Sequence, residues 1–326
     1  MDRPRPRAAA LALAIAAAGG ALALAANPAA PPLRAMRWAP RDVDPVATFD
    51  RAPTECLTLP AAPTEALKVE VGRAAFRTAV LLGGQAARAG VNCETCHKAG
   101  RSNPTFLFPG VSGAPGTADV TNSLFSTHRG DDIDDPRPIP DLSGPKARLK
   151  VAQDPAAHKL EPFIHGLITE EFDGPEPPKA VLEGLAAYVR ALSPAACPRA
   201  ATEALSVGYF LSDARRAIRA AQGEIAAGDA PAAVVMIASA RTRLGLIDER
   251  FAGPALAASR QEIRAADRRL AKAQDALRAH RGDPAAALQT WLAKSRELEA
   301  HLTARAPVSL FDPGRLTQAA RRRLPG

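Results

Sequence analysis

Four stretches near the C-terminus repeat apolar residues at alternating spacings of three and four. They cover residues 204–225, 233–247, 256–277 and 288–302, and each is a narrow seam rich in Ala and Leu. This spacing places the apolar residues on one face of an α-helix and is typical of helices that pack side by side. The sequence therefore predicts four long helices between residues 201 and 305.

The breaks between these four stretches carry the chemistry of helix ends. Gly228-Asp229 and Gly282-Asp283 combine a glycine that can end one helix with an aspartate that can cap the next, and Gly253-Pro254 separates the two halves. We therefore expect two helical hairpins that close into an antiparallel four-helix bundle. Its expected role is docking or assembly, with a plain spacer as the alternative.

Two further helices are predicted on either side of a long irregular segment. Apolar residues step by three or four from Glu65 to Leu82, and again from Pro178 to Leu192. Residues 101–146 lack periodicity and are rich in Pro and Gly. Aromatic residues make up only 4% of the chain, which favours an all-α fold built on Ala and Leu. Residues 27–60 are expected to form a Pro/Ala-rich linker or a strap over the surface, and residues 306–326 an irregular tail.

The N-terminus has the pattern of an export signal. Arg3, Arg5 and Arg7 precede an uncharged apolar stretch that runs from residue 8 to residue 26. Ala23-Leu24-Ala25 has the small-residue form of a cleavage site, so residues 1–26 are interpreted as a signal peptide. A retained N-terminal anchor is the alternative, and both predict a periplasmic protein.

The motif with the most specific chemistry is C-x-x-C-H at Cys93, Cys96 and His97. Two thiols at this spacing can add to the two vinyl groups of a haem, and the histidine that follows can bind the iron. The alternatives are a thioredoxin-like redox pair and half of a zinc site. A thioredoxin-like pair would need a βαβ pattern around the motif, and none is visible. A zinc site would need a second Cys/His pair at close spacing, and none follows. The sequence therefore predicts one covalent haem c.

Two cysteines remain once the haem motif is assigned. Cys56 and Cys197 enclose the motif and both flanking helices. In an oxidising compartment a leftover pair favours a disulfide, although two free buried thiols are the alternative. The predicted bridge would join the two ends of a haem domain that spans residues 61–197.

The formal net charge is +8, with the excess positive charge in residues 1–41 and 200–326. An exported haem protein does not meet nucleic acid, so no nucleic-acid partner is expected. The basic helical region could instead contact an anionic membrane surface or an acidic protein. A solvated Arg-rich surface without a partner is the simpler alternative.

Residues 71–192 resemble the haem domains of bacterial cytochrome c peroxidases and their MauG-like relatives, which have the cytochrome c fold. The resemblance rests on Gly72-Arg73-x-x-Phe76, Leu82-Gly83-Gly84, the haem motif from residue 91 to 97, and the turn at residues 121–130. It implies a helix before the haem motif, a loop that wraps the haem and a closing helix.

The chain departs from that family in two respects. It has one attachment motif where those enzymes carry two haems, and Arg129 stands where their turn has Asp. We therefore expect a monohaem cytochrome c that exchanges electrons with a redox partner protein. A peroxidase-like haem enzyme is the alternative, and a haem-based sensor is a third possibility; no catalytic residue is assigned.

The sixth ligand of the iron decides between these functions. No methionine lies between Met36 and Met236, so the usual methionine ligand after the motif is missing. His128, in the turn that resembles the peroxidase family, is the first candidate, and His165 is the second. His158, the two methionines and an open iron are the remaining alternatives. An iron bound by two histidines would act as an electron relay, whereas an iron with an open position could bind peroxide, oxygen or nitric oxide.

Overall fold

A computed structural model describes residues 32–143, 150–197 and 201–321. The described chain is mostly helical, which confirms the all-α class. The α-helices, in chain order, are α1 (Pro45–Phe49), α2 (Pro63–Phe76), α3 (Gly84–Ala89), α4 (Cys93–Cys96), α5 (Leu160–Gly166), α6 (Lys179–Ala191), α7 (Val207–Ala226), α8 (Ala230–Arg250), α9 (Ala257–Arg278), α10 (Pro284–Arg305) and α11 (Pro313–Arg321). The short strands are β1 (Arg51–Pro53), β2 (Thr117–Ala118), β3 (Arg137–Pro138) and β4 (Thr202–Ala204). The expected signal segment, residues 1–26, lies outside the described residues.

Helices α7 to α10 lie where the apolar seams predict them. Each packs on the next in sequence, and α10 returns to pack on α7, so the apolar seams enclose a shared core. Asp229 and Asp283 accept backbone N–H bonds from Ala232 and Ala286, as expected of N-caps. Helix α8 is long and apolar enough to cross a membrane, but most of it is buried in this core.

Helices α2 and α6 cross at a contact between two glycines. A Cβ added to Gly72 would lie 1.8 Å from the carbonyl oxygen of Gly184. The backbones therefore meet with no room for a side chain on Gly72. The predicted helix 65–82 ends early, at Phe76, and the chain continues through a 3₁₀ turn at Ala79–Leu81 into α3.

One hydrophobic core runs through both halves of the chain. Helix α2 packs on α7 and α8 as well as on α6, and buried residues from Val69 to Leu302 belong to a single cluster. The described parts of residues 61–197 and 201–305 thus share a continuous interior. At the interface between these two parts, helices pack directly on helices.

Residues 32–60, the described part of the Pro/Ala-rich segment, form a strap that is attached to distant parts of the chain. Strand β1 pairs antiparallel with β4, in the register Arg51 to Ala204. Met36 and Phe49 are buried in a small cluster with Leu316 of α11. The expected irregular tail at residues 306–326 therefore contains a helix. Only one of the apolar residues of this helix is buried, so no periodic pattern indicates it in the sequence.

The Pro/Gly-rich segment after the haem motif has a small core of its own. Phe108 stacks on Trp38 of the strap with ring centres 4.4 Å apart, and it contacts Phe125 edge-on at 4.9 Å. Phe125 in turn packs on Phe172. The chain has few aromatic residues, but several of them are concentrated here. Their contacts stabilise a segment that has little regular secondary structure.

The predicted cysteine pairing agrees with the geometry of the fold. Cys56 and Cys197 are joined, with Cα atoms 5.2 Å apart, inside the range of ordinary disulfides. The disulfide lies beside an isolated antiparallel β-bridge, which pairs Leu57 with Leu192 at the end of α6. It therefore fixes the strap to the end of the closing helix.

Removing this disulfide should destabilise the protein. We expect Cys56→Ala/Cys197→Ala to lower the free energy of unfolding by about 2–5 kcal/mol, because the unfolded chain regains the conformational entropy that the disulfide removes. Urea denaturation measures the loss. In Cys93→Ala/Cys96→Ala, thiol titration after denaturation without reductant should find no free thiol; two free thiols would contradict the pairing.

Candidate haem-attachment site

The attachment motif forms a single helical turn with its own cap. The side chain of Asn92 accepts the backbone N–H of Thr95 at 3.0 Å, and the Thr95 hydroxyl accepts the backbone N–H of Asn92 at 3.1 Å. This reciprocal capping box starts α4. Since Cys93 and Cys96 are three residues apart on this turn, their side chains lie on the same side of it.

His97 directly follows the turn, and its ring is fixed by one hydrogen bond. Nδ1 lies 3.0 Å from the carbonyl oxygen of Pro140 and donates to it. Burial lowers the pKa of His97 to about 4, so the imidazole is neutral. With Nδ1 engaged, Nε2 is the ring nitrogen available to a metal, and a carbonyl partner of this kind orients metal-binding histidines.

The two thiols are in their reduced, neutral form. Burial raises the pKa of Cys93 and of Cys96 to about 12. Both are separate from the disulfide, and the Cys93 side chain packs against the main core. Two neutral thiols on one side of a turn and a neutral histidine with one free nitrogen form a donor set that fits a covalently bound haem.

Two charged residues in and directly after the motif, Glu94 and Lys98, also have defined contacts. Glu94 accepts the backbone N–H of Ala99 at 3.2 Å, where the chain turns through a positive φ of 54°. Its other oxygen lies 3.1 Å from Nε of Arg77. Lys98 donates to the carbonyls of Thr48 and Arg51. Both charged side chains therefore attach the motif to surrounding elements.

Arg77 lies at the centre of a buried ion-pair network, and only 1% of its surface is exposed. Its three nitrogens contact three carboxylates: Glu94 of the motif at 3.1 Å, Asp213 of α7 at 2.6 Å and Glu55 of the strap at 2.8 Å. Burial alone would lower its pKa, but these carboxylates raise the pKa well above the usual value. The haem motif is thus linked to the C-terminal helices by one fully buried side chain.

Further partners complete the network around these acids. Asp213 also contacts Arg216 at 3.1 Å and Arg243 of α8 at 2.7 Å. Glu55 accepts the hydroxyl of Tyr188 at 2.6 Å and contacts Arg73. Burial opposes ionisation of both acids, but the nearby arginines outweigh it and lower their pKa values. Both acids are therefore charged.

His128 lies in a turn that is docked on the segment after α5. Its Nδ1 is 3.0 Å from a carboxylate oxygen of Asp173, and the same carboxylate accepts the backbone N–H of Thr127. The backbone N–H of Gly83 donates to the carbonyl of Phe172. Gly83 and the turn at residues 127–128 therefore both contact the segment at residues 172–173. The His128 side chain is 62% exposed.

The other candidate ligands have different surroundings. His165 pairs with Glu176 at 2.8 Å, and His158 is exposed at a positive φ of 49°. Met36 is buried in the strap cluster, and Met236 is buried within α8. Among the described residues, no hydrogen bond or ion pair joins His97 to any of these side chains.

No protein-family model, curated protein or solved structure matches this chain. In the described part of the chain, no group of three or more Cys, His, Asp or Glu side chains is arranged to hold a metal ion.

Proposed function

We propose that this protein is an exported c-type cytochrome with one covalent haem, which carries electrons to or from a protein partner in the periplasm. The observation that carries the proposal is the state of His97: Nδ1 donates to the Pro140 carbonyl and Nε2 remains for iron. Cys93 and Cys96 would form the thioethers. Bound haem would supply one-electron redox chemistry, and the chain orients and surrounds it.

The surroundings of the motif support a cofactor between α2, α6 and the segment after the motif. Phe76 of α2 lies 6.3 Å from the His97 ring and 5.1 Å from Tyr188 of α6. Between the motif and α6, the partly covered apolar side chains of Leu142, Val151, Phe163 and Ile164 pack against the main core. In this proposal the described parts of residues 61–197 adopt the cytochrome c fold and α7 to α10 form an antiparallel four-helix bundle.

His128 is the proposed sixth ligand. Asp173 holds its Nδ1, so Nε2 is the nitrogen that could bind iron, as for His97. Two imidazole ligands would favour electron transfer over peroxide chemistry, because no position on the iron would stay open. Reduced protein should then give a low-spin spectrum that carbon monoxide leaves unchanged. An immediate shift with carbon monoxide would favour an open, peroxidase-like or sensor site.

Covalent attachment is tested first, by producing the chain together with a cytochrome c maturation system. We expect the purified protein to keep its haem on a denaturing gel, with one haem per chain by the pyridine haemochrome assay. Cys93→Ala/Cys96→Ala should lose the haem stain completely, since no thioether can form. Cys56→Ala/Cys197→Ala is the matched control, because it removes two cysteines outside the motif and should keep the haem.

Absence of covalent haem from the matured wild-type protein would overturn the proposed function. Equal haem staining of the two double variants would also overturn it, because attachment would then not depend on the motif. His128→Ala separates the ligand assignment from attachment. It should leave the haem stain unchanged and make the iron bind carbon monoxide; an unchanged low-spin spectrum would exclude His128.

A further inference from the structure

A cavity of about 200 Å³ lies behind the haem motif, between the strap and helices α7 and α8. Glu94, Thr95 and Lys98 line it, whereas Cys93, Cys96 and His97 do not. It is therefore on the side of α4 away from the attachment residues. The candidate haem site does not account for this cavity.

The cavity wall combines aromatic surface with an excess of positive charge. The half-buried Trp38 lines the cavity together with the buried rings of Phe106 and Phe210. The charged lining residues are four cations and two carboxylates: Arg34, Lys98, Arg243, Arg250, Glu94 and Glu249. Glu249 pairs with Arg34 within the wall, and Glu94 pairs with Arg77, which does not line the cavity. Lys98, Arg243 and Arg250 therefore remain as positive charges that no carboxylate of the wall pairs with.

Arg243 is a buried cation of the cavity wall with an unpartnered nitrogen. It is 5% exposed, and its Nη2 atom is buried with no hydrogen-bond partner among the described residues. Its Nε lies 2.7 Å from Asp213 but without hydrogen-bond geometry. A buried guanidinium N–H without an acceptor carries a large desolvation cost. An acceptor in the cavity would remove that cost.

Two further cations in the wall are held only by backbone carbonyls. Arg250 is 4% exposed, donates to the carbonyls of Leu310 and Phe49, and lies over the ring of Phe210. Burial lowers its pKa to about 10, although Asp50 and Glu249 nearby act in the opposite direction. Lys98 donates to two carbonyls, so one of its three N–H bonds remains. No carboxylate among the described residues forms an ion pair with Arg250 or Lys98.

We propose that this cavity binds a small organic anion, with a carboxylate that accepts from Arg243 and an apolar body against the aromatic wall. Bidentate pairing with carboxylates is the geometry that a guanidinium favours. The ligand would sit behind α4 and contact both the strap and the C-terminal helices. This site is independent of haem attachment and would stand even without it.

The test uses benzoate as the probe, with isothermal titration calorimetry on the purified mature protein. We expect benzoate to bind the wild type and Arg243→Met to bind at least tenfold more weakly. Benzyl alcohol, which has the ring without the charge, should also bind at least tenfold more weakly than benzoate. Arg37→Met is the matched control and should bind normally, because Arg37 is exposed on the same strap and does not line the cavity.

A second variant tests the cavity without touching the ion-pair network. Ala35 is exposed and lines the cavity, so Ala35→Trp should obstruct it and weaken benzoate binding at least tenfold without changing the core. The proposal is overturned if benzoate does not bind the wild type, or if Ala35→Trp binds as tightly as the wild type. Equal affinity for benzyl alcohol and benzoate would likewise overturn it.

Discussion

Replacing Arg77 with methionine is expected to lower the free energy of unfolding by about 3–5 kcal/mol, the range for breaking a buried charge network from one side. Methionine fills a similar volume, so the loss comes from charge. Glu55, Glu94 and Asp213 would keep their negative charges in a buried position without the cation that joins them. Urea denaturation followed by far-ultraviolet circular dichroism measures this change.

Two further variants make the test specific. Arg77→Lys keeps the positive charge but cannot reach three carboxylates at once, so it should lose less stability than Arg77→Met. Arg278→Met removes an exposed arginine that contacts Asp275 on one helix face, and it should change stability by no more than about 0.5 kcal/mol. A loss below 1 kcal/mol for Arg77→Met would show that the network does not support the fold.

The second large effect is expected at the crossing of α2 and α6. Gly72→Ala should destabilise the protein by about 1–3 kcal/mol or more, because the added methyl group meets the backbone of Gly184 at 1.8 Å. A backbone carbonyl cannot turn away as a side chain can, so the two helices must separate. Haem-loaded and haem-free protein should both show the loss in thermal unfolding.

Gly245→Ala is the matched control for this substitution. Gly245 is also inside a long helix, but a Cβ there would meet nothing within 4 Å. Alanine should therefore raise stability by about 0.5–1 kcal/mol through its helix propensity. If Gly72→Ala were equally stabilising, the close approach of the two helices would be wrong.

Periodicity predicted the long helices because each one buries a single continuous seam. Helices α7 to α10 and α6 lie close to their expected bounds. It failed for the helix expected over 65–82, because Phe76 ends α2 while apolar residues continue through the 3₁₀ turn. It also missed α5 and the strap, whose order depends on partners far away in sequence, such as β4 for β1. Short elements carry too few residues for a period to be read.

The C-x-x-C-H motif stands out in the sequence because the haem attachment proposed for it requires this spacing. Pro140 could not be predicted as the partner of His97, since it comes from an irregular segment 43 residues later. The Arg77 network was missed for a similar reason. Arg77 follows the seam of α2, and nothing local indicates that Glu55 and Asp213 converge on it. Resemblance singled out the turn at His128, but its contact with Asp173 required the fold.

The cluster that joins the strap to α11 has a consequence for the order in which the chain can finish folding. Met36 and Phe49 are among the earliest of the described residues to be synthesised, and Leu316 is among the last. A chain made from its N-terminus therefore holds Met36 and Phe49 without this partner until Leu316 has emerged. Formation of the cluster is then a late event in folding, although β1 and Cys56 can find their partners earlier.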